Sequence, residues 1–309
     1  MTIRTDAKTW LEQAIGRLVL GAPENHLCDF DGQAIFDAPA VRVANGDDPL
    51  FERFREVVSP QHMLPREVLR QQTPGDSDTP DIRVAVWALP FTQAVRRSNR
   101  SGTWPSKLYS LARNNGGALN LEVRRRLVEL LHRDGWAAAA PVLTENYDAF
   151  RSPEHTFSSS WSERHAAYAA GLGQFGLHGC LITPAGANVR LGSVVTNMPL
   201  DVTPRGFEDH RAPCLALKGA GCGRCIEKCP VGAISASGLD KSKCYAMRQA
   251  VRERHMDEYG RTLHMLPALI VKSGKRTSGY SLGCALCQCA VPCEAGIPAI
   301  PFKQQAADA

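Results

Sequence analysis

The 309-residue sequence has no apolar run long enough to cross a membrane. Its N-terminus has neither the apolar core of a signal peptide nor a twin-arginine export signal, because Arg96 and Arg97 lie deep inside the chain. We therefore expect a cytoplasmic protein that does not associate with membranes. Hydrophobic residues make up 44% and charged residues 22% of the sequence, a composition that excludes general disorder.

The sequence also has little net charge, at +5. A modest surplus spread along the chain does not make the electrostatic footprint of a nucleic-acid-binding protein. We interpret the short basic clusters as solvated faces, although an anionic partner could use them. These clusters are Arg96, Arg97 and Arg100; Arg124 to Arg126; and Lys272, Lys275 and Arg276.

Cysteine, in contrast, is abundant, with 11 residues of which nine lie from Cys214 onward. In a reducing cytoplasm such thiols are better explained as metal ligands than as disulfides. Cys222-Gly-Arg-Cys225-Ile-Glu-Lys-Cys229-Pro230 has the spacing C-x2-C-x3-C-P, which is most of the bacterial iron–sulfur motif. We take Cys214 as the substitute for the first cysteine that this motif lacks.

A second set of thiols follows, and together the two sets provide the eight ligands that two [4Fe–4S] clusters need. In two-cluster ferredoxins the fourth cysteine of each motif ligates the other cluster. We leave out Cys289, because a thiol two residues from Cys287 rarely fits beside a C-x2-C pair. The predicted ligands are Cys214, Cys222, Cys225 and Cys293 for cluster 1, and Cys229, Cys244, Cys284 and Cys287 for cluster 2.

Zinc is the competing interpretation of paired cysteines. The two C-x2-C pairs of a zinc ribbon usually lie about 15–20 residues apart, whereas 58 residues separate Cys225 from Cys284. The third cysteine of each set would also have no role in a single zinc site. A thioredoxin-like redox motif is disfavoured because the pattern contains more than isolated pairs.

The sequence predicts an α+β fold. An N-terminal α/β sandwich-like domain over 1–205 would bind a substrate or corrinoid, and a ferredoxin-like domain over 206–309 would hold the two clusters. Apolar periodicity predicts helices over 5–20, 121–131 and 163–170, with Arg124 to Arg126 on the outer face of the second helix. It also predicts a buried strand over 82–89 and two strands, 180–183 and 189–196, that a turn joins.

Gly171, Gly173 and Gly176 match the string G-x-G-x-x-G of dinucleotide-binding proteins. That fingerprint needs a strand before it and a helix after it, but here a predicted helix precedes and a predicted strand follows. We therefore interpret these glycines as a helix stop and as a close approach of the backbone to a packing partner or a bulky cofactor.

Several segments resemble the family of epoxyqueuosine reductases and reductive dehalogenases, which hold two clusters and depend on cobalamin. The segments are 164–173, 180–183, 191–199, 222–234 and 283–288, and the resemblance covers roughly residues 160–295. It implies the same division of ligands between two clusters. It further implies a corrinoid pocket formed by Arg164, Gly171, Gly173, Gly176, Cys180, Thr183, Leu191 and Gly192.

The sequence departs from this family at two places. The tRNA-modifying members carry a C-terminal helical-repeat domain that has no counterpart after Cys293, so we do not expect tRNA as a partner. Their catalytic aspartate corresponds to the stretch 137–141, which contains no acid. A proton donor must then come from another side chain, and the candidates are Tyr109, Tyr147, Asp148, His155 and His165.

The predicted function is that of an iron–sulfur oxidoreductase. Electrons from a ferredoxin or flavodoxin would pass through the two clusters to a small-molecule substrate, either directly or through bound cobalamin, in a reaction such as deoxygenation or dehalogenation. One alternative is an electron carrier without a substrate of its own, against which the length of the N-terminal portion argues. The other is an epoxyqueuosine reductase that acts on tRNA.

Overall fold

A computed structural model of the chain describes residues 6–72, 81–152 and 156–299. The mixture of helices and strands confirms the predicted α+β class. The helices are α1 (Ala7–Leu20), α2 (Leu50–Val57), α3 (Pro65–Gln72), α4 (Gln93–Ser98), α5 (Lys107–Arg133), α6 (Glu163–Ala169), α7 (Arg224–Glu227) and α8 (Lys241–Tyr259). The strands are β1 (His26–Leu27), β2 (Gln33–Ala34), β3 (Ala40–Asn45), β4 (Arg83–Pro90), β5 (Ala138–Ala139), β6 (Ala149–Ser152), β7 (Thr156–Ser159), β8 (Gln174–Phe175), β9 (Leu181–Ile182), β10 (Val189–Thr196), β11 (Ile234–Ser235), β12 (Gly238–Leu239), β13 (Ala268–Lys272) and β14 (Lys275–Gly279).

The centre of the N-terminal portion is a four-stranded antiparallel sheet with the order β3-β4-β10-β5. Side chains of β4 alternate between its two faces, and Val86 packs with α2, α3 and α6 while Trp87 packs with α1 and α5. Both side chains are fully buried. Because helices cover both faces of the sheet, β4 has the continuous apolar sequence that predicts a buried strand.

Strand β10 is held closely to α5. Gly192 lies opposite Trp87, and a Cβ atom at Gly192 would lie 2.6 Å from Nε1 of Trp87. The Trp87 indole donates a hydrogen bond to Oδ1 of Asn120 over 2.8 Å, and Nδ2 of Asn120 donates to the carbonyl of Leu191 over 2.9 Å. Only glycine at position 192 leaves room for this arrangement.

Helix α5 begins at Lys107 and is much longer than the predicted 121–131. Its first half contains Asn114, Asn115, Gly116 and Gly117, which are poor helix formers. Tertiary contacts compensate for their low propensity, because Asn114 and Asn115 are buried and donate hydrogen bonds to the carbonyls at residues 266 and 264. These two contacts also attach the cysteine-rich portion to α5.

Two expectations about basic residues are wrong. Arg124 does not lie on the outer face of α5, since its side chain is 6% exposed and contacts Glu163. Arg96, expected on a solvated face, is largely buried against Glu294. Arg125 and Arg126 are exposed, as predicted, and both contact Glu122.

The predicted strands around residues 184–188 form, but they do not pair with each other. Strand β9 pairs with β8, and β10 pairs with β4 and β5. The segment between β9 and β10 instead contains Gly186, which has a φ of +89° and lies against the backbone of Glu294. Strands β4 and β5 therefore occupy both edges of β10, where the hairpin partner was expected, and the connecting segment packs against the loop that contains Glu294.

None of the helices that the structure describes combines the length and apolar character needed to span a membrane. The predicted division of the chain at residue 205 stays a prediction. Beyond that residue the structure contains α7, α8 and the hairpins β11-β12 and β13-β14, connected by loops that carry most of the cysteines.

Candidate functional site

The four thiols predicted for cluster 1 line one small cavity in the cysteine-rich portion. Its walls contain all four of these cysteines together with Ile182, Val291 and His178. Burial, followed by the charges of the other three thiols, raises the pKa of Cys225 to about 12. The four thiols thus share one buried space, where they would need a cation to stay ionised. The cavity is lined by Cys214, Cys222, Cys225 and Cys293.

Cys293 reaches this cavity because its loop is tied to the N-terminal portion. The neighbouring Glu294 side chain is 5% exposed, and its carboxylate lies 3.0 Å from Arg100 and 3.6 Å from Arg96. The carbonyl of Cys293 also accepts a hydrogen bond from the amide of Ala187 over 2.7 Å. These contacts bring a thiol distant in sequence next to Cys222 and Cys225.

The four thiols predicted for cluster 2 also lie together. Burial raises the pKa of Cys287 well above its usual value, and the charges of neighbouring thiols raise it further. Cys244 lies in the first turn of α8, which Asp240 caps by accepting from the amides of residues 242 and 243. The neighbours that act on Cys287 are Cys180, Cys284, Cys244 and Cys229.

Two residues near the thiols had no predicted role as ligands. Cys180 lies beside the second group, and its Sγ accepts a hydrogen bond from Nε2 of Gln288 over 2.6 Å. His178 lies between the two groups, since its Nδ1 accepts from the amide of Cys180 over 3.1 Å and its Nε2 is 3.5 Å from Sγ of Cys293. The only sequence signal for His178 is its place two residues before Cys180.

Cys289 is fully buried and lies among amides of the N-terminal portion. Its Sγ accepts hydrogen bonds from Nδ2 of Asn188 over 3.0 Å and from Nδ2 of Asn99 over 3.7 Å. It does not line the cavity of the first group. Within residues 6–72, 81–152 and 156–299, no three His, Cys, Asp or Glu side chains are arranged to hold a single metal ion.

The three glycines that the resemblance assigns to a corrinoid pocket lie close against other parts of the chain. Gly171, with a φ of +71°, lies against Arg205, and a Cβ atom there would be 2.8 Å from its Cα. A Cβ atom at Gly176 would be 2.7 Å from the ring of His178. Gly173 lies similarly against the backbone of Ile182. Atoms of the chain itself therefore fill the space at these glycines, which confirms the predicted close backbone approach.

The other residues of that set have structural contacts of their own. Arg164 donates a hydrogen bond to the carbonyl of Gly179 over 2.5 Å, and the hydroxyl of Thr183 donates to the carbonyl of Gly186 over 2.8 Å. The carbonyl of Leu191 accepts from Asn120. Corrinoid binding by these residues stays a prediction.

The catalytic candidates lie in different parts of the molecule. The hydroxyl of Tyr109 donates to Oδ1 of Asn188 over 2.9 Å, and burial raises the tyrosine's pKa far above its usual value. Burial, followed by the charge of Glu163, raises the pKa of Tyr147 to about 12. Oδ2 of Asp148 accepts from the amide of Gly274 over 3.0 Å. His155 lies outside the described residues.

His165 faces a cavity of about 590 Å³ between α2, α6 and the loop that precedes Cys214. Its Nδ1 lies 2.7 Å from the hydroxyl of Ser162, and burial lowers the pKa of the imidazole to about 3. Gly176 also lines this cavity, so the structure brings together two of the predicted site residues there. With so low a pKa the imidazole stays neutral near pH 7, so it neither holds a proton to donate nor acts as a strong base.

A third feature is a group of three arginines beside the second group of thiols, and we call this region the arginine cleft. It is formed by Arg113 of α5, Arg190 of β10 and Arg248 of α8. Burial, followed by the charges of Arg113, Arg124 and Arg248, lowers the pKa of Arg190. Sequence reasoning missed this cleft because its three arginines come from separate elements.

No protein-family model matches the chain. Among curated proteins, the epoxyqueuosine reductase of Bacillus cereus is 33% identical over 109 residues, which are 33% of this chain and 26% of the relative. That of Gloeobacter violaceus is 30% identical over 132 residues, 42% of this chain and 35% of the relative. That of Synechocystis is 32% identical over 135 residues, 43% of this chain and 38% of the relative. The matched segments thus span only 26–38% of these curated relatives.

Three solved structures are also similar. Epoxyqueuosine reductase from Bacillus subtilis, with its catalytic loop swung out of the active site, has a TM-score of 0.45 and 16% identity, covering 94% of this chain and 67% of its own. An epoxyqueuosine reductase with a modified tRNA-Tyr stem loop has a TM-score of 0.39 and 16% identity, covering 77% and 57%. A reductive dehalogenase described with a B12-dependent mechanism has a TM-score of 0.41 and 17% identity, covering 68% and 27%.

The comparisons give no support to the expectation that tRNA is not a partner. They do bear out the resemblance predicted from the cysteine and glycine segments: in sequence, part of this chain is similar to epoxyqueuosine reductases.

Proposed function

We propose that the chain is an iron–sulfur oxidoreductase that passes electrons through two [4Fe–4S] clusters to a small-molecule substrate. The observation that carries this proposal is the arrangement of the cysteines. The two sets of four that ferredoxin-type spacing predicts lie in two neighbouring groups, with His178 between them. The similarity to reductases supports the same chemistry.

Cys214, Cys222, Cys225 and Cys293 would hold the first cluster, and Cys229, Cys244, Cys284 and Cys287 the second. When bound, such clusters supply one-electron transfer at low potential. The chain prepares both groups by burying the thiols and by aiming amides at them. The amide of Leu177 donates to Sγ of Cys214 over 3.4 Å, and that of Ala233 donates to Sγ of Cys229 over 3.2 Å. Hydrogen bonds to cluster sulfurs raise the reduction potential.

In this proposal the cluster held by the second group of thiols passes the electrons to the substrate. This group of thiols lies next to the arginine cleft, since Arg248 and Arg113 both act on the pKa of Cys244. A ferredoxin or flavodoxin would deliver electrons to the first group. An electron carrier would need no such cleft and no N-terminal sheet with helices on both faces.

Action on tRNA, as the names of the curated relatives suggest, is the alternative. The stretch that corresponds to the family's catalytic aspartate contains Ala138 and Ala139, which are fully buried and pair with β10 as strand β5. Neither residue is an acid, so this strand provides no proton donor of the kind that the family's aspartate supplies. This placement favours a small-molecule substrate.

We expect about eight irons and eight sulfides per chain after anaerobic purification, because two cubes each contain four of both. Iron and sulfide analysis measures this, and dithionite should bleach the visible absorbance of the clusters. Four or fewer irons, or zinc in their place, would contradict the two-cluster proposal.

The resemblance to a cobalamin-dependent family adds the expectation that this chain binds hydroxocobalamin. If a corrinoid binds, the visible spectrum of hydroxocobalamin should change on titration with micromolar protein, and the corrinoid should co-elute with the chain in gel filtration. Protein freed of its clusters serves as the control. An unchanged spectrum would mean direct reduction of the substrate by the second cluster or simple electron carriage, since the glycines of the predicted pocket are already packed by the chain itself.

A further inference from the structure

We propose that Arg113, Arg190 and Arg248 form a binding site for an oxyanion, a phosphate or carboxylate group, beside the second group of thiols. That this oxyanion belongs to the substrate rests on the proposed function; the anion site itself does not. The chemistry is that of guanidinium groups, whose planar fork of donors matches the oxygens of phosphate and carboxylate.

The three arginines converge although they are far apart in sequence. Arg113 and Gly117 are four residues apart and share one face of α5. The guanidinium of Arg190 lies directly against Gly117, so that Arg190 is one helical turn from Arg113. Arg248 acts on the pKa of Arg190, and Arg113 acts on the pKa of Arg248.

Within residues 6–72, 81–152 and 156–299, no carboxylate pairs with these three arginines. Among the described residues, none of the three arginines has a hydrogen bond or ion pair with a side chain or backbone group, and Nε of Arg113 is buried without any partner. The nearby acid Glu163 is paired with Arg124. Three like charges in one cleft without a counter-charge destabilise the fold. A bound anion would offset this cost. The pKa of Arg190 is lowered first by burial and then by the charges of Arg113, Arg124 and Arg248.

The second group of thiols is a competing partner for two of these arginines. Arg248 and Arg113 act on Cys244, and Arg113 acts on Cys284. Arg190 differs, because the largest influences on its pKa are burial, the neighbouring arginines and Tyr109. Arg190 is half-buried and Arg248 is exposed, so the cleft is open to solvent on the side of α8. In the proposed site a ligand would therefore enter from that side.

Anion binding to the anaerobic holoprotein tests this site. Thermal unfolding is followed while inorganic phosphate, or succinate in a second series, is added at constant ionic strength with KCl. A ligand that binds only the folded chain raises the melting temperature in a saturable way. We expect saturable stabilisation in at least one series, and the series that gives it identifies phosphate or carboxylate as the preferred group.

Variants separate the cleft from general electrostatics. Arg190→Gln and Arg248→Gln should each weaken binding at least tenfold by calorimetry. Arg126→Gln, at an exposed position of α5, the helix of Arg113, should bind as the unchanged protein does. Because Arg248 is exposed, its variant keeps the test valid if Arg190→Gln does not fold. Equal affinity in all three variants, or no saturable shift in either series, would overturn the proposal.

Two further measurements distinguish a failure of the anion site from a failure of the proposed function. If Arg248→Gln changes the reduction potential of the second cluster but leaves anion affinity unchanged, the arginines serve the cluster and the anion site is wrong. Iron content tests the proposed function separately. A chain that binds phosphate in this way without binding iron would overturn the reductase and leave the anion site standing.

Discussion

Cys244→Ser should retain about half of the iron of the unchanged protein, whereas Cys289→Ser should retain all of it. Cys244 is one of four thiols that surround Cys287 in a buried space, and a cube that loses one thiolate ligand is expected to be lost. Cys289 instead accepts hydrogen bonds from Asn188 and Asn99. A serine hydroxyl can accept these bonds, so that replacement should leave both clusters in place.

Cys244→Ser and Cys289→Ser form a matched pair. A general folding defect would remove more iron from Cys289→Ser than from Cys244→Ser, which is the opposite of the predicted result. Cys289 is fully buried, whereas Cys244 is only partly buried, so a general packing defect would harm Cys289→Ser more. Iron and sulfide analysis after anaerobic purification gives the result, and circular dichroism checks the fold. Cys180→Ser belongs in the same series, because Cys180 is also a neighbour of Cys287. Loss of iron from Cys180→Ser or Cys289→Ser, with full iron in Cys244→Ser, would show that the ligand set is wrong.

Cysteine spacing predicted the two groups of thiols because ligand spacing follows from local chain geometry. Short C-x2-C spacings bring two sulfurs to one centre wherever the loop is placed. The exchange of Cys229 and Cys293 between groups also follows from the ferredoxin pattern, and the structure places each of them in the predicted group. The position of Cys180 could not be predicted in this way, because it depends on how β9 packs against the loop that contains Gln288.

The arginine cleft shows why the rest of the candidate site could not be predicted from the sequence. The sequence around Arg113 contains two asparagines and two glycines, which indicate a loop more than a helix. The helix exists because Asn114 and Asn115 bind backbone groups of a segment about 150 residues later. The guanidinium of Arg190 then lies directly against Gly117, where any larger side chain would meet it. Such contacts between distant segments leave no local pattern, so hydrophobic periodicity cannot indicate them.

The opposite error occurred at Arg124, where a helical pattern with three successive arginines predicted an outer face. In the structure the side chain of Arg124 lies instead in the interior of the protein. Its guanidinium donates to Glu163 over 2.9 Å, to the carbonyl of Asn120 over 3.0 Å and to that of Leu191 over 3.1 Å. It therefore connects α5, α6 and β10 in the interior.

Arg124→Met should destabilise the chain by about 3–5 kcal/mol, the usual cost of removing one partner from a buried ion pair. The variant leaves the Glu163 carboxylate buried without its counter-charge, and the carbonyl of Leu191 loses a donor. For a domain of this size the melting temperature should fall by roughly 5–10 °C. Thermal unfolding under anaerobic conditions at one heating rate measures the shift. Arg126→Met, which removes an exposed pair with Glu122, is the matched control and should change stability by less than about 1 kcal/mol.

The loss of stability in Arg124→Met should also depend on pH, in a direction that follows from the pKa of Glu163. Burial raises the pKa of Glu163 in the folded chain, and Arg124 opposes that rise. Without Arg124 the pKa rises further, so the folded variant holds a proton that the unfolded chain releases. The destabilisation should therefore be smallest at low pH, where Glu163 is protonated in both states, and should grow as pH rises through the folded-state pKa. Arg124→Met/Glu163→Gln should recover part of the lost stability at neutral pH because no charge is left unpaired. A pH-independent loss, or no recovery in the double variant, would mean that packing rather than charge makes Arg124 necessary.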